Sequence, residues 1–375
     1  MAILSRLIRP NLFGMVRNIS SQCDEVLINH NKNKVVITLN RPKALNALNI
    51  PMVKELYRVL KDVHENKTAD IVIVKSNNDK AFCAGGDVLA VSKSAKEGGE
   101  VHKRFFYEEY IVNNLIGTCP VPYVALIHGI TMGGGCGISI PGKFRVATEK
   151  TMLAMPETAL GLFPDVGGSY FLSRLKNNCG MFLALTGYRL KGADVFHSGL
   201  ATHYINSTDL ASLQNELLAL SVANDNSVDS VLRKFQPNEL PAFSLEPHLR
   251  TIDKCFDGEK YEDVVSRLEK DGSDFAKSQL KELVKMSPTS LKVTFRQLKT
   301  GSKLSLSDAL MMEYRLSQRI SEDHDFHEGC RAILIDKDRN PKWKPASVSE
   351  VSDDTMDRYF SRLPEERELN LQAKL

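Results

Sequence analysis

The chain has 375 residues, 42% of them hydrophobic and 25% charged, an ordinary balance for a soluble globular protein with room for one large domain or two smaller ones. Its formal net charge of +3 comes from a leader: Arg6, Arg9 and Arg17 all precede Asp24, the first acid, and removing those three from the 49 lysines and arginines leaves 46, equal to the 46 acids. No basic stripe with interleaved aromatics follows Asp24, which argues against a nucleic-acid binder, and no apolar run approaches the roughly 20 residues that cross a bilayer, which argues against membrane insertion.

The N-terminal segment, residues 1–23, combines arginines with apolar residues and lacks any acid. That pattern suits an amphipathic import presequence and a mitochondrial matrix address, the plain alternative being a frayed basic tail. From Val26 to Arg41, VLIN and KVVITLNR read as two short strands with a polar turn between them. A helix is expected next, with Asn49 as its N-cap and Ile50, Val53, Leu56, Tyr57, Leu60 and Val63 on one apolar face. The unbroken apolar run DIVIVKS then reads as a strand covered on both faces. The unit repeats with YVALIHG leading into a glycine-rich turn, followed by short strands near Phe144 to Ala147 and Met152 to Ala154, a rhythm that predicts an α/β core over residues 24–206. Beyond it, over 207–375, helical patterns at Leu210 to Leu220, Tyr261 to Leu268, Phe275 to Met286 and Ala309 to Ile320 predict a helical region packed on that core.

Seven cysteines occur without a CxxC pair or a histidine at zinc spacing, so a reducing compartment is expected and no metal or redox cofactor is implied. Cys83 and Cys136 fall inside glycine-rich segments, where small buried filler is the commoner role for a thiol.

Three stretches carry more information than composition. In AFCAGGDV, Ala81 to Val88, adjacent glycines let a backbone N–H approach a ligand closely. In HGITMGGGCG, His128 to Gly137, a strand runs through three glycines into an apolar segment suited to a helix, which places unpaired N–H groups at a helix N-terminus. Two such donors aimed at one oxygen would make an oxyanion hole, although either cluster alone also fits a plain tight turn. Neither matches a nucleotide-phosphate motif. The third stretch, Met155 to Leu175, sets Glu157 and Asp165 among apolar residues, where a carboxylate is costly to bury unless used or paired. Their bland readings are a first-turn acid after Pro156 and a cap for a helix starting near Gly168.

In order and spacing these three stretches resemble the crotonase (enoyl-CoA hydratase/isomerase) superfamily over about residues 25–205. The resemblance implies a spiral of strand, strand, helix turns and two N–H groups that polarise the thioester carbonyl of a CoA ester. On the matching positions the donors fall on Gly86, in AGGD, and Gly134, in the middle of GGG, while Glu157, in MPE, matches a catalytic glutamate. Hydratases carry a second glutamate two residues after GGG, where this chain has Gly137, so hydration by a glutamate pair is not expected. GLFPDVGG with Asp165, EEYIVNNLIG with Glu109, and LALTGYRLKGADV look like the branch that hydrolyses 3-hydroxyisobutyryl-CoA. That likeness implies Glu157 and Asp165 as catalytic acids, Glu109, Gly134, Glu157 and Asp165 as substrate contacts, and CoA as part of the substrate rather than a cofactor. Arg41 and Lys43 border the segment that lines the CoA cleft in the superfamily. Crotonases often assemble as trimers or pairs of trimers, so a homo-oligomer is open. Alternatives are another crotonase reaction, hydration or isomerisation, or a catalytically silent interaction subunit.

Overall fold

The computed structural model describes residues 23–375. The leader therefore lies outside the described residues apart from Cys23. Two sheets organise the N-terminal half. The larger contains β1 (Val26–Asn31), β2 (Lys34–Leu39), β3 (Ile71–Ser76), β5 (Tyr123–Ile127), β7 (Phe144–Ala147) and β10 (His203–Tyr204), in the order β1-β2-β3-β5-β7-β10. Only β1 and β2 pair antiparallel, joined by a tight turn; the later neighbours are parallel. The smaller sheet orders β4 (Ala81–Cys83), β6 (Ile130–Met132), β8 (Met152–Ala154) and β9 (Leu190–Lys191) as β4-β6-β8-β9. The chain alternates between the sheets, from β3 to β4, β5 to β6 and β7 to β8, so each turn of the spiral adds one strand to each sheet.

Burial on both faces explains why β3 and β5 read as continuous apolar runs rather than alternating ones. One face, with Val35, Ile37, Val72, Val74, Ala125 and Ile127, joins the main core. The other, with Val36, Ile73, Val124 and Val146, is covered by Leu213 and Leu217 of a helix spanning Leu210–Ala219 and by Val228 and Leu232 of the next, Asp225–Phe235. Leu232 is fully buried there, and truncating it to alanine should cost about 2–5 kcal/mol.

Helix α1 (Ile50–Asn66) begins at the expected cap: the Asn49 side chain accepts from the Met52 N–H at 3.0 Å. α2 (Val88–Lys96) and α3 (Val101–Gly117) follow β4, and α3 packs on α1. The helix after the triple glycine, α4, is only Gly134–Gly137, shorter than the apolar run suggested, because Pro141 and Gly142 follow within a turn. Another four-residue helix, α5 (Gly168–Phe171), opens the return toward the C-terminal half.

The C-terminal half is helical, as the apolar spacing indicates. Its helices include Tyr261–Asp271, Asp274–Leu283, Pro288–Gly301 and Leu306–Ile320. Leu291, Leu298, Leu310 and Leu316 of the last two join the same apolar core as Val26 and Leu56. Among the described residues no helix is long and apolar enough to cross a membrane.

Candidate active site

Three neighbouring parallel strands of the small sheet end at one edge, and each delivers one element of the site. β4 runs into Gly85 and Gly86, β6 into Gly133 and Gly134, and β8 through Met155 and Pro156 to Glu157. Parallel pairing makes this inevitable, since it brings the C-terminal ends of all three strands together. Helix α3 crosses above them and supplies Glu109, Tyr110 and Asn113, all buried.

The contact between the two glycine loops is too close for side chains. A Cβ at Gly134 would lie 3.2 Å from the Gly86 nitrogen and 2.6 Å from Glu109 Oε1, and one at Gly133 would lie 2.8 Å from Glu157 Oε1. Gly133 also adopts φ 47°, ψ −118°, a conformation that a residue with a Cβ rarely takes. The Gly86 loop is held without using its own N–H: Leu48 N–H donates to Gly85 O and Asp87 N–H to Leu48 O, both at 2.8 Å. Gly134 is the first residue of α4, where the N–H has no intrahelical partner. The two glycine loops thus meet beside Glu109 and Glu157 with neither N–H spent within its own loop, which is what an oxyanion hole would require.

The acids are buried without cations. Glu157 and Asp165 are each 5% exposed and Glu109 2%; Glu109 Oε1 and Glu157 Oε2 have no protein hydrogen-bond partner. Burial pushes the Glu109 carboxyl well above its ordinary range, and the charges of Asp165 and Glu157 add to the effect. Burial followed by the Asp165 charge does the same to Glu157. Asp165 is raised by burial to about 7, opposed by hydrogen bonds from the Tyr110 hydroxyl, 2.8 Å from Asp165 Oδ2, and from the backbone. Carboxyls so placed cannot all be ionised at neutral pH, so the group retains protons that it can give up during a reaction.

A match to the family model described as enoyl-CoA hydratase/isomerase spans residues 34–360. This chain belongs to that family. Among curated relatives, 3-hydroxyisobutyryl-CoA hydrolase, mitochondrial, from Homo sapiens is 51% identical over 344 residues, covering 91% of this chain and 89% of the relative. The protein of the same name from Danio rerio is 52% identical over 352 residues, covering 92% of each. Among solved structures, a carnitinyl-CoA dehydratase from Mycobacterium thermoresistibile has a TM-score of 0.86 at 35% identity, covering 94% of this chain and all (100%) of its own. An enoyl-CoA hydratase from Rhodobacter sphaeroides 2.4.1 gives 0.83 at 31% identity, covering 92% of this chain and 99% of its own.

As a member of this family the chain departs from the two-glutamate pattern at Gly137, and its surroundings explain why no side chain stands there. A Cβ would lie 2.5 Å from Val166 Cβ and 2.8 Å from Asn113 Nδ2. Glu157 does open a short 3-10 helix, Glu157–Leu160, directly after Pro156, as a first-turn acid, and it is buried as well; the bland reading of Asp165 gives way. Asp165 does not cap α5; its carboxylate faces Tyr110, and the α5 N-terminus is capped instead by Glu313, which accepts from Gly167 N–H at 2.7 Å and from Ser169 N–H at 2.8 Å. Glu109 is buried, and its neighbour Glu108 is buried against Arg104 at 2.8 Å. Cys83 and Cys136 are filler in this geometry: both are fully buried, the Cys83 thiol is pushed up to about 12 by burial, and Cys136 is raised by burial too.

Arg41 is already occupied, reaching Glu25 at 3.1 Å, Asp87 at 2.9 Å and Ala47 O at 2.9 Å. It braces the residue after Gly86 and is a poor candidate for a phosphate contact. Lys43 is exposed. Among the described residues no group of three or more His, Cys, Asp or Glu side chains could hold a metal ion.

Sequence reasoning missed Tyr110, Asn113, Gln297 and Glu313. Asn113 carried a signal, since it lies four positions from Glu109 on the same face of one helix; Tyr110, the next residue along, carried none. Glu313 carried a fainter one: it is an acid at the apolar spacing of Ala309, Leu310 and Leu316, and it is fully buried.

Proposed function

We propose that the protein is an acyl-CoA thioester hydrolase that converts 3-hydroxyisobutyryl-CoA to 3-hydroxyisobutyrate and CoA, a step of valine breakdown, in the mitochondrial matrix. The observation that carries this reading is the meeting of the Gly86 and Gly133–Gly134 loops beside a buried Glu157, in a site whose Gly137 leaves no second glutamate for hydration. The curated relatives bear the corresponding name at about half identity, and their mitochondrial designation agrees with the basic leader over residues 1–23, ahead of a core at 24–206 and a helical region at 207–375. CoA is part of the substrate, and the chemistry calls for no separate cofactor.

The thioester oxygen would lie between the two N–H groups and gain most from them as it turns negative in the tetrahedral intermediate. Glu157 either attacks the carbonyl carbon, expelling the thiolate and leaving a mixed anhydride that water opens, or takes a proton from a water that attacks directly. Asp165, its carboxyl raised to about 7 by burial, supplies the proton that the departing thiolate needs. Glu109, with an unpartnered oxygen beside Gly134, contacts the acyl group.

Free thiol released from 3-hydroxyisobutyryl-CoA, measured with a thiol reagent, tests the reading. Fast release that Glu157→Ala abolishes supports it; an inert wild-type protein contradicts it. Single turnover in heavy-oxygen water then separates the two routes, because only the anhydride leaves label in the Glu157 peptide.

A further inference from the structure

Between Asp165 and Gly168 the backbone makes an unusual double reversal. Val166 has φ 54° and Gly167 φ 90°, and for a β-branched residue the left-handed region is strongly disfavoured. Such a turn persists only where its surroundings hold it, and the hold comes from the C-terminal half. Gln297, on the helix Pro288–Gly301, donates from Nε2 to the Pro164 carbonyl at 2.6 Å, one residue before Asp165. Glu313, on the helix Leu306–Ile320, accepts from Gly167 N–H at 2.7 Å, Ser169 N–H at 2.8 Å and the Ser169 hydroxyl. The residue after Glu313, Tyr314, sets its ring edge-on to Tyr110 at 6.5 Å between centroids, and Tyr110 is the donor to Asp165.

We infer that Glu313, assisted by Gln297, is a positioning residue for Asp165. It clamps the strained turn so that the Asp165 carboxyl meets Tyr110 and the reacting thioester. The inference rests on the proposed role of Asp165 and adds a part for the helical region in the chemistry. A clamp of this kind acts on the transition state through geometry, and small displacements of a catalytic group are expensive in rate. Glutamine at 313 keeps the size but replaces one of the two acceptor oxygens by an N–H₂, so either Gly167 N–H or Ser169 N–H loses its acceptor.

The test measures thiol release from 3-hydroxyisobutyryl-CoA by wild type, Glu313→Gln, Asp165→Asn and the double variant. The expected result is a kcat about 10- to 100-fold lower in Glu313→Gln with KM changed by less than about 3-fold. In the Asp165→Asn background the same substitution should cost less than about 2-fold, because the two residues act as one unit. An equal loss in both backgrounds would mean that Glu313 serves the fold alone and would overturn the inference. Full turnover in Asp165→Asn by itself would instead remove the role given to Asp165, a failure distinguishable from the first. Should Glu313→Gln not fold, Gln297→Met cuts the other arm and faces the same criterion.

Discussion

Around Arg331, near the surface, Glu328, Asp336 and Asp338 reach the guanidinium at 2.8, 2.7 and 2.7 Å, whereas Glu109, Glu157 and Asp165 share a buried pocket in which no cation answers them. In the first cluster every charge has a partner and Asp336 and Asp338 are also solvated, so removing either changes little. In the second the acids are raised by burial and by each other, which costs stability at neutral pH. Charges left unpaired inside a fold are retained for what they do, and that contrast separates chemistry from scaffolding in this molecule.

Removing the central acid should have the largest effect. Glu157→Ala is expected to lower kcat for thiol release by at least ~10²- to 10⁴-fold, the usual contribution of a positioned acid or base, while circular dichroism and melting temperature stay near wild type or improve. A loss confined to KM would assign Glu157 to binding instead. Next comes Gly134→Ala, whose Cβ would press on the Gly86 nitrogen and Glu109. Disturbing one oxyanion donor should cost about 10²–10³ in kcat, and a folded variant with normal turnover would remove Gly134 from the site.

Asp165→Asn tests the cost of the pocket itself. The carboxyl titrates near 7 when folded, against an ordinary 3.8, so the folded protein binds the proton more tightly than the unfolded chain does. Stability from this group is therefore full below pH ~3.8 and is lost as pH rises through ~7. The variant should melt higher than wild type at pH 8 and gain less at pH 5; an equal gain at both values would contradict the assignment. A smaller effect is expected for Gly137→Glu. Installing the missing glutamate should destabilise by about 1–3 kcal/mol through overpacking against Val166, without conferring hydration. Smallest of all, Arg331→Ala should leave turnover unchanged.

Much of this was legible in advance where the reason for a structure is local. β3 and β5 announce themselves as apolar runs, Asn49 caps α1 through its own side chain, and the glycines of AGGD and GGG mark where backbones must touch. Glu157 and Asp165 stand out because acids rarely sit in such apolar company. What escaped notice depends on distant sequence. Glu313 meets the Asp165 turn from almost 150 residues away, and nothing in GLFPDVGG says that Val166 will be held in a left-handed conformation or by which helix. α4 is shorter than its apolar run suggests for the local reason that Pro141 and Gly142 follow it, and Tyr123 hydroxyl holds the segment beyond the helix by donating to Ile138 O at 2.8 Å.

The most direct test of the account is to follow CoA release from 3-hydroxyisobutyryl-CoA and hydration of crotonyl-CoA side by side in one preparation. Two unpartnered N–H groups, a buried Glu157 and a bare Gly137 predict rapid thiol release with hydration absent or far slower. Hydration that matches or exceeds thiol release would contradict it and assign the site to the hydratase chemistry of the wider family.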